Sequence, residues 1–67
     1  MEEVKIKDIK KGEFFTLKPI EYPTDMQVYI KDEYDRSEKK YSCYKYGDVC
    51  FSRSFKADKV VYTGFTF

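Results

Sequence analysis

The 67-residue chain is predicted to be all-β: a small, strongly bent, five-stranded antiparallel meander forming an SH3-like barrel. Three observations carry this. Seven Tyr and six Phe are interleaved with charged residues, as in Lys40-Tyr41-Ser42-Cys43-Tyr44-Lys45-Tyr46, the pattern of a strand with one wet face. The apolar runs are short and broken by turn residues. No window of helical length is amphipathic. An open antiparallel sheet that dimerises is the second architecture these features allow.

The elements follow in order. Val4, Ile6 and Ile9 stand among lysines in residues 4–10, a short strand running into a turn before Gly12. Glu13 to Lys18 carries Phe14, Phe15 and Leu17 and stops at Pro19, which cannot donate to a central ladder. Pro19 to Asp25 is a loop. Met26 to Glu33 is the next strand, and Tyr34 to Lys39 a polar turn in which Asp35 and Ser37 can bond nearby backbone. Lys40 to Tyr46 returns, Gly47-Asp48 turns, and Val49 to Phe55 runs out. After a short turn at Lys56 to Asp58, Val60 to Phe67 closes the chain, with Val61, Thr63, Phe65 and Phe67 in one phase. Phe65 to Phe67 is expected to supply two rings to the core, so its deletion is expected to unfold the chain.

Length bounds the energetics. One domain spanning residues 1–67 buries roughly 60% of its unfolded surface, and one small core supplies ~3–5 kcal/mol. Large rings help, since each buries about 150–250 Å². Aromatic content is therefore first a requirement of the core.

Composition excludes several function classes. With 13 Lys+Arg against 12 Asp+Glu the net charge is +1, which argues against a strongly basic nucleic-acid binder or a polybasic membrane patch. No apolar run approaches the ~18 residues of a membrane helix, and the segment from Met1 to Lys5 lacks the apolar stretch of a secretion signal. The expected setting is cytoplasmic. There is no His, so the usual general base at neutral pH is missing. No catalytic constellation is present and the chain is read as non-enzymatic. Cys43 and Cys50 are too few for a disulfide scaffold or a structural zinc site; both are read as small buried thiols. Asp32, Glu33, Asp35 and Glu38 cluster without the glycine-bearing calcium-loop pattern, among Arg36, Lys39 and Lys40, and are read as a solvated turn. No metal and no cofactor is expected.

Hairpin symmetry gives a pairing. Centring one turn on Gly47-Asp48 sets Tyr44 opposite Phe51 and Cys43 opposite Ser52. Centring the other between Arg36 and Ser37 sets Tyr29 opposite Tyr44 and Ile30 opposite Cys43. One face then gathers Val28, Ile30, Cys43 and Cys50. The other gathers Tyr29, Tyr44, Tyr46, Val49 and Phe51, bordered by Lys31 and Arg53. A one-residue slip exchanges the faces of a strand, and then the aromatic set becomes plain core. In the first register Tyr29, Lys31, Tyr44, Tyr46, Phe51 and Arg53 are the candidate binding residues. Cys43 and Cys50 are diagonal neighbours there, too far apart for an unstrained disulfide.

The run Ile6-Lys7-Asp8-Ile9-Lys10-Lys11-Gly12-Glu13-Phe14-Phe15 resembles the opening of small SH3-like barrels. Together with Tyr34-Asp35-Arg36-Ser37 to Tyr41 and Val61-Tyr62-Thr63-Gly64-Phe65, it is similar to short uncharacterised proteins of bacterial mobile elements and phages. The resemblance implies no activity and gives no residue a role. It implies an accessory protein that acts by binding.

The expected function is a binding module that engages a macromolecule, a protein by preference, through an aromatic and charged sheet face. Single-stranded nucleic acid is the alternative, since bases stack on exposed rings while cations follow phosphates. A subunit that self-associates by edge pairing is the third reading. The expected state is a monomer or weak homodimer.

Overall fold

The computed structural model describes residues 2–67 and is all-β. Its strands are β1 (Glu2–Lys5), β2 (Phe14–Phe15), β3 (Tyr29–Asp35), β4 (Lys40–Lys45), β5 (Asp48–Lys56) and β6 (Val60–Thr63), with one 3-10 turn at Ile6–Asp8. β2 to β5 form a four-stranded antiparallel meander, while β1 and β6 pair with each other. Six strands replace the expected five, because the first and last segments make their own two-stranded sheet.

The strands do not close into a barrel. β5 is paired only with β4, and β6 only with β1, apart from a single bridge between Thr16 and Tyr62 whose two N–H···O bonds are both 3.0 Å. The gap beside the β5–β6 turn is filled by the 3-10 turn instead of a strand: the Ile6 N–H donates to the Lys59 carbonyl at 2.9 Å and the Lys7 N–H to Ala57 at 3.3 Å.

The core lies between the sheets. Ile6, Ile9, Phe15, Tyr29, Cys43, Phe55 and Val61 are buried together, with Val4, Leu17 and Tyr41 packed against them. Phe15 and Tyr29 stack with centroids 5.8 Å apart, and the Phe55 ring stands edge-on to both at 6.2 and 6.0 Å. Offset and edge-on pairs satisfy the ring quadrupoles and add about 0.5–1.5 kcal/mol each to area burial. Thr16 is fully buried, with its hydroxyl donating to the Lys18 carbonyl at 2.6 Å. Phe65 and Phe67 lie outside this cluster, correcting the expectation that the last residues fill the core.

Turn chemistry follows the sequence. One Asp35 carboxylate oxygen accepts from the Ser37 N–H at 2.9 Å and the Glu38 N–H at 3.4 Å, and Lys39 takes a left-handed φ of 57°. Together they close the four-residue loop between Asp35 and Lys40, which are paired. The second hairpin turns on Tyr46-Gly47 between paired Lys45 and Asp48, one residue before the expected centre.

Two bulges correct the expected register. Lys31 pairs with Cys43 and Tyr34 with Tyr41, so β3 carries one extra residue at Asp32-Glu33. Had the ladder run on unbroken from Asp35 and Lys40, Tyr29 would share a face with Tyr44 and Tyr46. The bulge reverses the phase, and Tyr29 lies opposite Lys45 and Ile30 opposite Tyr44. On β5, Val49, Cys50 and Phe51 have no partner between the pairs Lys45–Asp48 and Tyr44–Ser52. Cys43 is therefore opposite Arg53, not Ser52, and Cys50 is exposed while Cys43 is buried.

Candidate binding surface

The register divides the six predicted site residues between two faces. Tyr29 is 6% exposed and belongs to the core, and Lys31 is likewise 6% exposed beside it. Both leave the candidate surface, for the reason just given: the β3 bulge turns them inward. The Lys31 ammonium donates to the Ile9 carbonyl and stands 4.2 Å from the Tyr41 ring centroid. Burial pushes its pKa down, opposed by Cys43, Glu13 and Asp8.

Phe51 and Arg53 sit along the core-side margin of β5. The Lys45 ammonium covers the Phe51 ring at 4.3 Å, and the Arg53 guanidinium covers Phe55 at 5.2 Å. The Lys45 contact covers one face of the Phe51 ring, a face that a stacked base would otherwise use. Burial raises the Cys43 thiol to about 11, which keeps it protonated and unreactive at neutral pH. Among the described residues no group of three or more Cys, Asp or Glu gathers as a metal cage would require.

Tyr44 and Tyr46 lie on the other face, away from the core. Across that face Phe14 pairs with Ile30, and Ile30 with Tyr44, which makes one lateral row of apolar side chains. At its end three rings meet: Phe14 and Tyr46 at 5.5 Å, Phe14 and Phe67 at 5.8 Å, Tyr46 and Phe67 at 5.0 Å, all edge-on. Phe65 touches Phe67 at 6.5 Å. These rings are 40% (Phe14), 46% (Tyr46) and 52% (Phe67) exposed. The Thr66 N–H donates to the Glu21 carbonyl at 3.0 Å, which ties the C-terminal segment down next to Phe67. Lys11 borders the row and is held by Glu33, whose hydrogen bond raises the lysine pKa.

Phe14 and Phe67 are the residues that sequence reasoning missed. The signal for Phe14 was available. Adjacent residues on a strand point to opposite faces, so one of Phe14 and Phe15 had to leave the core. Phe67 carried no comparable signal, since its position depends on where the segment after β6 folds.

No protein-family model, curated protein or solved structure matches the chain. No helix among the described residues is long and apolar enough to cross a membrane.

Proposed function

We propose that this protein is a non-enzymatic binding module that takes a protein partner on the outer face of the β2–β5 sheet. The observation that carries the reading is the ring cluster Phe14, Tyr46 and Phe67, assembled from three distant parts of the sequence and left 40–52% exposed. Exposed aromatic rings held by one another lose little side-chain entropy on binding and offer large contact area, which is why aromatic residues anchor protein interfaces. Tyr44 and Ile30 extend the patch, and the Lys11–Glu33 pair supplies a polar rim.

A protein is favoured over nucleic acid because Lys11, which borders the rings, is paired with Glu33, while Lys45 and Arg53 lie on the opposite face over Phe51 and Phe55. A net charge of +1 adds little long-range pull on phosphates. Both cysteines are free thiols, in keeping with a cytoplasmic setting. The resemblance to short uncharacterised proteins of bacterial mobile elements and phages implies an accessory role, and such a role fits an agent that works by binding. The SH3-like reading of the fold belongs to this proposal too, supported by the Thr16–Tyr62 bridge that joins the two sheets at one point.

The test is a pair of matched experiments. Affinity capture with the parent and with a Phe14→Ser/Tyr46→Ser variant, quantified by mass spectrometry, should yield a protein retained by the first and lost by the second. A ¹⁵N-HSQC titration with mixed single-stranded DNA and RNA, at low and then higher salt, should leave the spectrum unmoved. Salt-sensitive shifts at Lys45, Phe51 and Arg53 would replace the protein reading with the nucleic-acid one.

A further inference from the structure

The four-stranded sheet has one long free edge. Its β2 edge is two residues long and runs directly into the Thr16–Tyr62 bridge. Its β5 edge is nine residues long, about 30 Å of strand, and β5 is paired on one side only. Within it Val49, Cys50 and Phe51 lack a ladder partner even in β4. Val49 is 67% exposed. Proteins blunt such edges with short strands, charges or bulges; β5 carries a bulge, Arg53 and Lys56, yet it is long and leaves three apolar residues exposed.

The strand is also complementary to itself. Its sequence is Asp48-Val49-Cys50-Phe51-Ser52-Arg53-Ser54-Phe55-Lys56. Two copies laid antiparallel about a two-fold axis at Ser52 set Asp48 opposite Lys56 of the second copy and Val49 opposite its Phe55. Cys50 then meets Ser54, Phe51 meets Arg53, and Ser52 meets its own symmetry mate. Every charge in the strand finds an opposite charge or a ring. Within one chain Phe51 and Arg53 each take part in a cation–π contact, and the pairing would add a second cation beside each Phe51 ring. An antiparallel pair places opposed residues on one face, which brings Asp48 beside Lys56, Val49 beside Phe55 and the Phe51 ring beside the Arg53 guanidinium. The sequence of a strand paired on only one side has no need of such symmetry.

We infer that β5 pairs with β5 of a second copy of this chain, antiparallel and centred on Ser52, to make a continuous eight-stranded sheet. This interface is distinct from the Phe14–Tyr46–Phe67 surface, so a dimer presents two such surfaces. The pairing leans on two Asp48–Lys56 ion pairs, and one Asp48 oxygen already accepts from the Cys50 N–H at 3.2 Å. Formation should therefore weaken with salt.

Register-specific cross-linking tests the inference. Opposed residues in an antiparallel pair have Cα atoms about 4.5–5.5 Å apart, within disulfide range. In a Cys50→Ser background, Ser52→Cys should give a disulfide-linked dimer on mild oxidation, whereas Ser54→Cys should stay monomeric over the same time. Restoring Cys50 should let Ser54→Cys cross-link, because 50 and 54 are opposed. Sedimentation of the unmodified chain from micromolar to millimolar concentration should show the mass double, and Arg53→Glu should abolish this while the fold persists by circular dichroism. A strict monomer at millimolar concentration overturns the inference. So does cross-linking of the Ser52→Cys and Ser54→Cys variants of the Cys50→Ser background, each with one exposed cysteine besides buried Cys43, at equal rates.

Discussion

Phe15 and Tyr29 face each other across β2 and β3, their rings stacked 5.8 Å apart at an interplanar angle of 20°. The neighbouring pair in the same ladder, Phe14 and Ile30, points the other way. One register thus assigns two adjacent phenylalanines opposite tasks, Phe15 to the core and Phe14 to the surface.

Phe15→Ala is expected to lose about 3–5 kcal/mol, the usual cost of removing a buried ring. That equals the whole stability of a core this small, so the variant should be largely unfolded at 25 °C. Phe14→Ala should cost about 1 kcal/mol or less. Urea titrations followed by circular dichroism check both, and equal losses at 14 and 15 would contradict the register.

Lys31 is buried with its ammonium on the Ile9 carbonyl and the Tyr41 ring. Its aliphatic stem fills space, while its charge is costly to desolvate. Lys31→Met keeps the stem and should lie within about 1 kcal/mol of the parent. Lys31→Ala opens a void and should lose about 2–4 kcal/mol. Comparing the two midpoints separates packing from charge; a Met variant as damaged as the Ala variant would show that the ammonium contacts dominate.

The two thiols should differ in reactivity. Cys50 is exposed and should react promptly with a thiol reagent, while Cys43 should react only through unfolding. The pH dependence has a definite sign. Burial raises Cys43 from 9.0 to about 11, so above pH 9 the unfolded chain releases a proton that the folded chain keeps. Cys43 thus contributes stability below pH 9 that is lost as pH rises toward 11, at most about 3 kcal/mol. Lys31, with its lowered pKa, works in the opposite direction: the folded chain sheds that proton first, so its contribution rises with pH up to the ordinary lysine range. Chemical denaturation from pH 8 to 11 should show the cysteine loss removed in Cys43→Ala, relative to that variant's own neutral value. An unchanged alkaline slope in that variant would exclude Cys43 as its source.

Gly47 closes the β4–β5 turn under the Met26 loop. A Cβ there would lie 2.9 Å from the Met26 sulfur, 3.1 Å from Asp25 Cγ and 3.2 Å from the Asp25 carbonyl carbon. The Gly47 N–H also donates to the Asp25 carbonyl at 3.0 Å. Gly47→Ala should destabilise by about 1–3 kcal/mol, in the range of other overpacking changes. Met26→Ala should recover only part of this, since the backbone contact remains. Full recovery in thermal melts would place the whole conflict on the Met26 side chain.

How far the sequence could be read is clearest at the hairpins. Asp35, Ser37 and Gly47 mark their turns by chemistry that acts within a few residues, and those turns form. Fold class and most strand positions were legible for the same reason. Bulges are different. Nothing in Asp32-Glu33 or in Val49-Cys50-Phe51 distinguishes an unpaired residue from a paired one, because a bulge is decided by which side chains the opposing sheet accepts. Each bulge reversed the phase behind it, and this is why Tyr29 and Lys31 moved inward while Tyr44 and Tyr46 stayed out. The Glu13 to Lys18 strand shrank to Phe14–Phe15 because Thr16 left the meander to bridge Tyr62. Half of the expected aromatic face was thus legible, and its completion by Phe14 and Phe67 waited on tertiary contacts.

The extra residue in β3 has an evolutionary reading. Loss of either Asp32 or Glu33 would leave Lys31 opposite Cys43 and Tyr34 opposite Tyr41 with one residue between them on each strand, a continuous ladder with no side chain reversed. Loss of a residue from the regular part of β4 would instead turn half of that strand inside out. The gene can therefore shorten by one codon at this place and still encode the same interior. Descendants of this sequence should differ in length here before they differ in length anywhere else in the sheet.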